Sequence, residues 1–206
     1  MMNYSTRTRR SGRRSGDSGT REAILEAARA QFISTGFRGT TIRSVAKSAG
    51  VDPALVLHFF GTKEALFAAA VRPPIDPASL LRGALERSPE SAGTAVVGCL
   101  LDAWDSEDTS RTMLAIVRSA MTEEVAARMV REQIVNTIAE TLVSFGVDRP
   151  EYRAALVATQ MAGIAIGRYV VGFAPLIEAG RGDLVAAFGP TIQRYLTGNL
   201  QQEPEA

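Results

Sequence analysis

Cysteine, histidine and lysine are nearly absent from this chain of 206 residues, which holds one Cys, one His and two Lys. With Cys99 alone, no intramolecular disulfide can form, and no Cys/His cluster exists to hold a metal. A reducing, cytoplasmic setting is the expectation. The single histidine, His58, has no Ser, Cys or carboxylate in its own segment to activate, and no glycine-rich phosphate loop is present. These absences argue against an enzyme and against a bound cofactor. No alternating β-branched run of useful length appears, so a sheet is not expected. Residues 1–20 lack the apolar core of a secretory signal. Their Arg/Ser-rich, acid-poor character resembles a transit peptide, but a basic arm is the preferred reading. The most apolar stretch, Ala154 to Ile177, is interrupted by Gln160 and Arg168 and broken at Pro175. It therefore reads as a buried helix rather than a membrane span.

What the chain does have is a charge asymmetry hidden beneath a formal net charge of +1. Residues 1–72 carry 12 Arg/Lys against 5 Asp/Glu, and the remainder is net acidic. Both lysines, Lys47 and Lys63, lie in that front segment. A polyanion would meet the front of such a molecule and be repelled by its back; a merely solvated basic tail is the alternative. Residues 1–19 are Arg, Ser, Gly and Thr with little to bury, and are expected to be a disordered basic arm.

From Thr20 the pattern is helical, with Ile24, Ala27, Ala28, Gln31 and Phe32 on one face and Gly36 as the stop. A short helix opens at Thr41, its apolar face traced by Ile42, Val45, Ala46 and Ala49, and Gly50 ends it. Asp52-Pro53 is a cap and first-turn pair that starts a third helix through Phe59, with Val56, Phe59 and Phe60 as core. Thr62 caps a fourth, with Ala65, Leu66 and Ala69 inward. The stiff segment Arg72 to Pro77 marks a domain boundary. Beyond it, helices are expected over Ala78–Arg87, Ala92–Trp104, Ser110–Met121, Glu123–Phe145, Glu151–Phe173 and Asp183–Thr197. The fold class is all-α: a three-helix helix-turn-helix head over residues 20–72, then a helical bundle over 76–200.

Two short helices joined by a tight Gly-Val turn, the second started by Asp-Pro, have the geometry of a DNA-reading helix-turn-helix, and taken alone the pattern also suits any compact helical hairpin. The run from Thr41 to Leu66 resembles the tetracycline-repressor (TetR) family: Val45-Ala46, Ala49-Gly50-Val51, His58-Phe59-Phe60 and Lys63-Glu64-Ala65-Leu66 fall in that family's register. The Ala23–Gly39 segment and Phe37 match as well. The resemblance implies a homodimeric DNA-binding transcription regulator, most often a repressor that a small molecule releases from a near-palindromic operator.

That resemblance assigns Thr41 to a phosphate contact at a helix start and Lys63 to another at the start of the fourth helix. Arg43 can fork onto guanine or hold a phosphate, and both readings stay open. Lys47 either touches the backbone or is simply exposed. Leu57 stands where the family usually has tyrosine, and no side chain from Pro53 to Leu57 is polar. Direct reading by this helix then rests on contact of Pro53, Ala54, Leu55 or Leu57 with thymine methyls. His58 is assigned a phosphate, with a packed or solvent-facing ring as the alternative. Arg7, Arg9, Arg10, Arg13 and Arg14 can follow a minor groove or attract phosphates without direction.

The resemblance further implies that the last two long helices pair across a two-fold axis. Ala155, Thr159, Gly163 and Gly167 form a stripe of small residues at four-residue spacing; it suits close approach of a partner helix or of one from the same chain. Leu184, Phe188, Ile192 and Tyr195 supply the bulk of the other interface helix, which Gly189-Pro190 should distort. A small ligand is implied in the middle of the domain. Cys99, Trp104, Met113, Val117, Met121, Met129 and Met161 are candidates for an adaptable apolar lining, each of which also suits ordinary core. Arg118 is the one charge placed to orient an anionic group, with a surface salt bridge as the alternative. Two other readings stay in view: an architectural or division-site DNA-binding protein of the same fold, and an enzyme on a helical scaffold.

Overall fold

The computed structural model describes residues 15–71 and 75–200, and among them every regular element is helical. The arginines of residues 1–14 lie outside the described residues. The chain forms two compact units, divided between Ala70 and Val71.

The first unit holds four helices: α1 (Ser15–Gly39), α2 (Ile42–Ala49), α3 (Pro53–Phe60) and α4 (Lys63–Ala70). Helix α1 begins at Ser15, so residues 15–19, expected to belong to a disordered arm, extend the helix. The apolar run behind them supplies a stable template onto which each added residue contributes one more backbone hydrogen bond. Gly36, at φ 71°, kinks the end of α1 as the expected stop, although one further helical turn follows it. Ile24, Leu25, Ala28 and Phe32 of α1 are buried with Val45, Ala46, Val56, Leu66, Phe67 and Ala70. Phe32 and Phe37 both meet the Phe67 ring edge-on, with centroids 4.9 and 5.2 Å away. On α4 the inward face is Leu66, Phe67 and Ala70, while Ala65 faces solvent, one residue out of the expected phase.

The second unit contains α5 (Pro77–Arg87), α6 (Ala92–Asp105), α7 (Glu107–Thr122), α8 (Glu124–Val130), α9 (Asn136–Ser144), α10 (Pro150–Ala165), α11 (Ala174–Glu178) and α12 (Arg181–Leu196). A π-helical turn, Arg131–Val135, joins α8 to α9, and another, Ile166–Val171, continues α10. The short α11 fills what sequence reading left as a break. Its position is held by Arg168, which donates to the carbonyls of Leu176 and Ala179.

Helices α6 and α12 cross closely. A Cβ added to Gly93 would lie 2.4 Å from both Gln193 N and Gly189 O, so only glycine lets the two backbones meet there. Gln193 locks the crossing, its Oε1 accepting from Gly93 N at 2.8 Å while its Nε2 donates to Pro89 O. Helix α12 continues through Pro190, the point where distortion is expected. Pro190 is exposed, and Gly189 leaves space on the crowded side. At its far end α12 is tied to α10 by Arg153, 3% exposed. Its guanidinium donates to the carbonyls of Asp148, Arg194, Tyr195 and Gly198 and to the Asp148 carboxylate.

The expectation of a buried helix over the most apolar stretch is corrected. Pro150–Val171 is long and apolar enough to cross a membrane by length and composition, yet only 28% of its most apolar window is buried within the chain. Ala155, Thr159, Ala162 and Gly163 face outward.

Candidate nucleic-acid interface and ligand cavity

The two reading helices are closed by side-chain caps at their starts and by glycine backbone turns at their ends. Thr41 Oγ1 accepts from Ser44 N at 3.0 Å and Ser44 Oγ accepts from Thr41 N at 3.0 Å, a reciprocal cap at the start of α2. At its other end Gly50 is left-handed (φ 68°). Val51 N–H donates to Ala46 O and Gly50 N–H to Lys47 O, the paired bonds of a Schellman end. Asp52 Oδ1 accepts from Ala54 N at 2.7 Å and starts α3, with Pro53 at its first position. Thr62 Oγ1 caps α4 through Ala65 N.

Gln31, which helical spacing put on the apolar face of α1, instead clamps α2. Its Nε2 donates to Ser44 O and Ser48 Oγ, and its Oε1 accepts from Ser44 Oγ at 2.6 Å. Arg29 donates to Ala70 O, fastening α4. The head is thus braced by polar links as well as by its core.

On this frame Arg43 and Lys47 project from one exposed face of α2, one helical turn apart. Ala54, Leu57 and His58 share an exposed face of α3, and Leu57 stands out as a large apolar side chain 45% exposed. Pro53 and Leu55 are half-buried beside them. Val56 alone of the expected α3 core trio is fully buried; Phe59 and Phe60 are half-exposed, with Arg21 stacked over Phe60. The hydroxyl of Thr41 is already engaged in the α2 cap and also donates to Ser44 Oγ. That engagement leaves the first backbone N–H groups of α2, rather than this side chain, to meet an anion. Lys63 Nζ lies 4.3 Å from the Phe37 ring centroid, a cation–π contact that orders its flexible stem.

In the second unit a cavity of about 360 Å³ opens among α5 to α10. Helix α6 lines it with Val96, Leu100 and Trp104, and α7 with Met113, Ile116, Val117, Ala120 and Met121, both at helical spacing. The π turns contribute Ile134 and Ile166, and Met161 of α10 closes another side. Met121 is 73% exposed and so stands at the mouth. Among the described residues no lining side chain is ionisable, and the one side-chain nitrogen or oxygen belongs to Trp104. Its indole Nε1 is buried with no hydrogen-bond partner, a state that costs about 1–3 kcal/mol. The ring stacks on Tyr169, centroids 5.0 Å apart and planes 16° off parallel. Tyr169 in turn donates to Asp105 Oδ1 at 2.9 Å. Burial, then the Asp105 hydrogen bond and charge, push its phenol up to about 12, so it keeps its proton.

Of the expected lining residues, Trp104, Met113, Val117, Met121 and Met161 are there. Cys99, Arg118 and Met129 are not: each sits one residue from a lining position (Leu100, Val117 and Val130), about 100° around its helix. Arg118 faces solvent, so no charge enters the cavity from it. Of the expected dimer residues, Ala155, Thr159 and Gly163 are exposed, and Phe188 and Tyr195 are half-buried. Leu184 and Ile192 are buried in this chain's own core, and Gly167 packs under Phe173 and Leu176. Those three contribute to the fold of the protomer and offer no surface to a partner. Arg153 and Gly93 were missed. The available signal for Arg153 was its four-residue spacing from buried Val157, which puts an arginine on an inward face.

Sequence comparison matches residues 24–70 to the model described as "Bacterial regulatory proteins, tetR family" and residues 90–196 to "Tetracyclin repressor-like, C-terminal domain". A TetR-family regulator from Streptomyces coelicolor A3 is 35% identical, covering 90% of this chain and 99% of that one, with a TM-score of 0.70. The HTH-type transcriptional regulator BetI of Burkholderia mallei is 26% identical over 157 residues, 74% of this chain and 80% of BetI. RutR of Escherichia coli is 41% identical over 59 residues, 29% of this chain and 28% of RutR. The braced helix pair and the helical second unit are therefore those of a DNA-binding transcription regulator, not an enzyme, and the chain belongs to the TetR family.

Proposed function

We propose that this TetR-family regulator is a homodimeric repressor that leaves a near-palindromic operator when a small apolar molecule fills the cavity of its second unit. The observation that carries the reading is that cavity: about 360 Å³ with a predominantly apolar wall, of a size and lining suited to a small ligand. The operator would be read by Arg43 and Lys47 from α2 and by Ala54, Leu57 and His58 from α3, with Pro53 and Leu55 at the edge, Lys63 on a phosphate and the α2 start on another. An apolar reading helix favours thymine methyls, which leaves Arg43 as the polar base contact.

Selection from a random duplex library with the purified full chain tests the reading. The expected product is one palindrome with half-sites about one helical turn, or a multiple of it, apart. Enrichment of no sequence over bulk DNA would overturn it. Arg43→Ala is expected to relax preference at one base pair per half-site, by about 1–3 kcal/mol of discrimination. Uniform weakening across all sequences would assign Arg43 to a phosphate instead.

Support for the dimer comes from the outward stripe of α10. At Gly163 an added Cβ would meet nothing within 4 Å, so the protomer itself does not need glycine there. Gly163→Leu is expected to leave the protomer as stable or up to about 1 kcal/mol more so, while sedimentation shows the dimer weakened. A dimer of undiminished affinity would place the interface elsewhere.

A further inference from the structure

Helix α2 is held in the head by two kinds of contact that constrain it differently. Val45 and Ala46 are buried and keep the helix seated, but apolar burial has no preferred direction. Gln31 of α1 adds three directional bonds. Its Nε2 donates to Ser44 O at 2.9 Å and to Ser48 Oγ at 2.8 Å, and its Oε1 accepts from Ser44 Oγ at 2.6 Å. Both ends of one half-buried amide are thus engaged on α2, at two residues one helical turn apart. Ser44 carries the hold to the helix start, where its Oγ accepts from Thr41 N and Thr41 Oγ1 at 3.0 and 3.1 Å.

Ser44 and Ser48 form the row of α2 next to the exposed row of Arg43 and Lys47, about 100° around the axis. Two anchors on one row stop a helix from turning about its own axis. A turn of about 20° would carry a point on the helix surface, about 6 Å from the axis, through about 2 Å. A recognition geometry tolerates only about 0.5 Å. Resting on the reading of Arg43 and Lys47 as operator contacts, we propose that Gln31 is a positioning residue for operator recognition: its amide fixes the rotation of α2 and so aims Arg43 at its base. Gln31 acts through that neighbouring row. Its contribution is to discrimination between sequences, because attraction for phosphates carries no sequence information and flexible basic stems satisfy it from many angles.

The test uses the full chain, the operator recovered by duplex selection and a scrambled duplex of the same length. Gln31→Leu keeps the size of the side chain and removes all three bonds. It is expected to weaken operator binding about tenfold, while affinity for the scrambled duplex stays within about twofold. Ser48→Ala, at an exposed position, removes one anchor only and should weaken operator binding about twofold to threefold. Urea midpoints for each variant establish that binding is compared between folded proteins. A double-mutant cycle then separates positioning from general support. In an Arg43→Ala background Gln31→Leu should cost less than about threefold, since the side chain it aims is gone. Full additivity in that cycle would overturn the proposal, as would equal weakening on operator and scrambled duplex. Undiminished operator affinity for Gln31→Leu overturns the positioning role and leaves the reading of α2 as an operator contact standing. Selection that enriches no sequence removes that reading, and the proposal with it.

Discussion

Arg153→Ala is expected to lower the unfolding free energy by about 2–4 kcal/mol, read as a fall in the urea midpoint. The last carbonyls of any helix lack partners within it. Here Arg194 O, Tyr195 O and, just beyond the helix, Gly198 O receive the guanidinium of Arg153, at 3.3, 3.0 and 2.9 Å. Removing it strands those carbonyls and opens a void where a 3%-exposed side chain stood. The Asp148 partner contributes less to that loss. Its side chain is 64% exposed and regains water once the arginine is gone, so Asp148→Asn should cost no more than about 1 kcal/mol. Arg153→Lys should recover less than half of the loss, since one ammonium cannot fork to four carbonyls and a carboxylate. An unchanged midpoint for the alanine variant would show that α12 does not depend on this clamp.

Gly93→Ala is expected to cost about 1–3 kcal/mol, toward the upper end, although alanine is the better helix former. The atoms an added methyl would meet are Gln193 N, Gly189 O and Gln193 Cα, at 2.4, 2.4 and 2.8 Å. All three are backbone and cannot rotate aside. The opposing Gly189 is the control: a Cβ there would first meet Thr94 Oγ1 at 3.0 Å, a side chain with another rotamer available. Gly189→Ala should cost less than half as much. Equal losses for the two variants would mean the helices part freely and the crossing is not tight.

The elements of the head were legible because their signals are local. Thr41, Gly50, Asp52-Pro53 and Thr62 act on backbone within three or four residues of themselves, and the structure has each of them in that role. What sequence could not supply was phase and distance. Cys99, Arg118 and Met129 were chosen as residue types suited to a cavity, and each missed the wall by a single position. Which flank of a helix faces a cavity is settled by its neighbours. The same ambiguity undid Leu184 and Ile192: an apolar stripe looks alike whether its own chain or a second copy covers it. The two π turns leave no compositional trace, and they carry Ile134 and Ile166 to the cavity. Arg153 and Gly93 meet partners roughly 40 and 100 residues away, beyond any local pattern.

The caps on α2 and α3 have a thermodynamic consequence for meeting DNA. Both ends of each reading helix carry a local cap, from Thr41, Ser44 and Gly50 on α2 and from Asp52 and Gly61 on α3, before any phosphate arrives. The described head therefore docks without having to fold. The heat-capacity change on binding should then scale with the area the head covers, with none of the large excess that marks segments ordering as they bind.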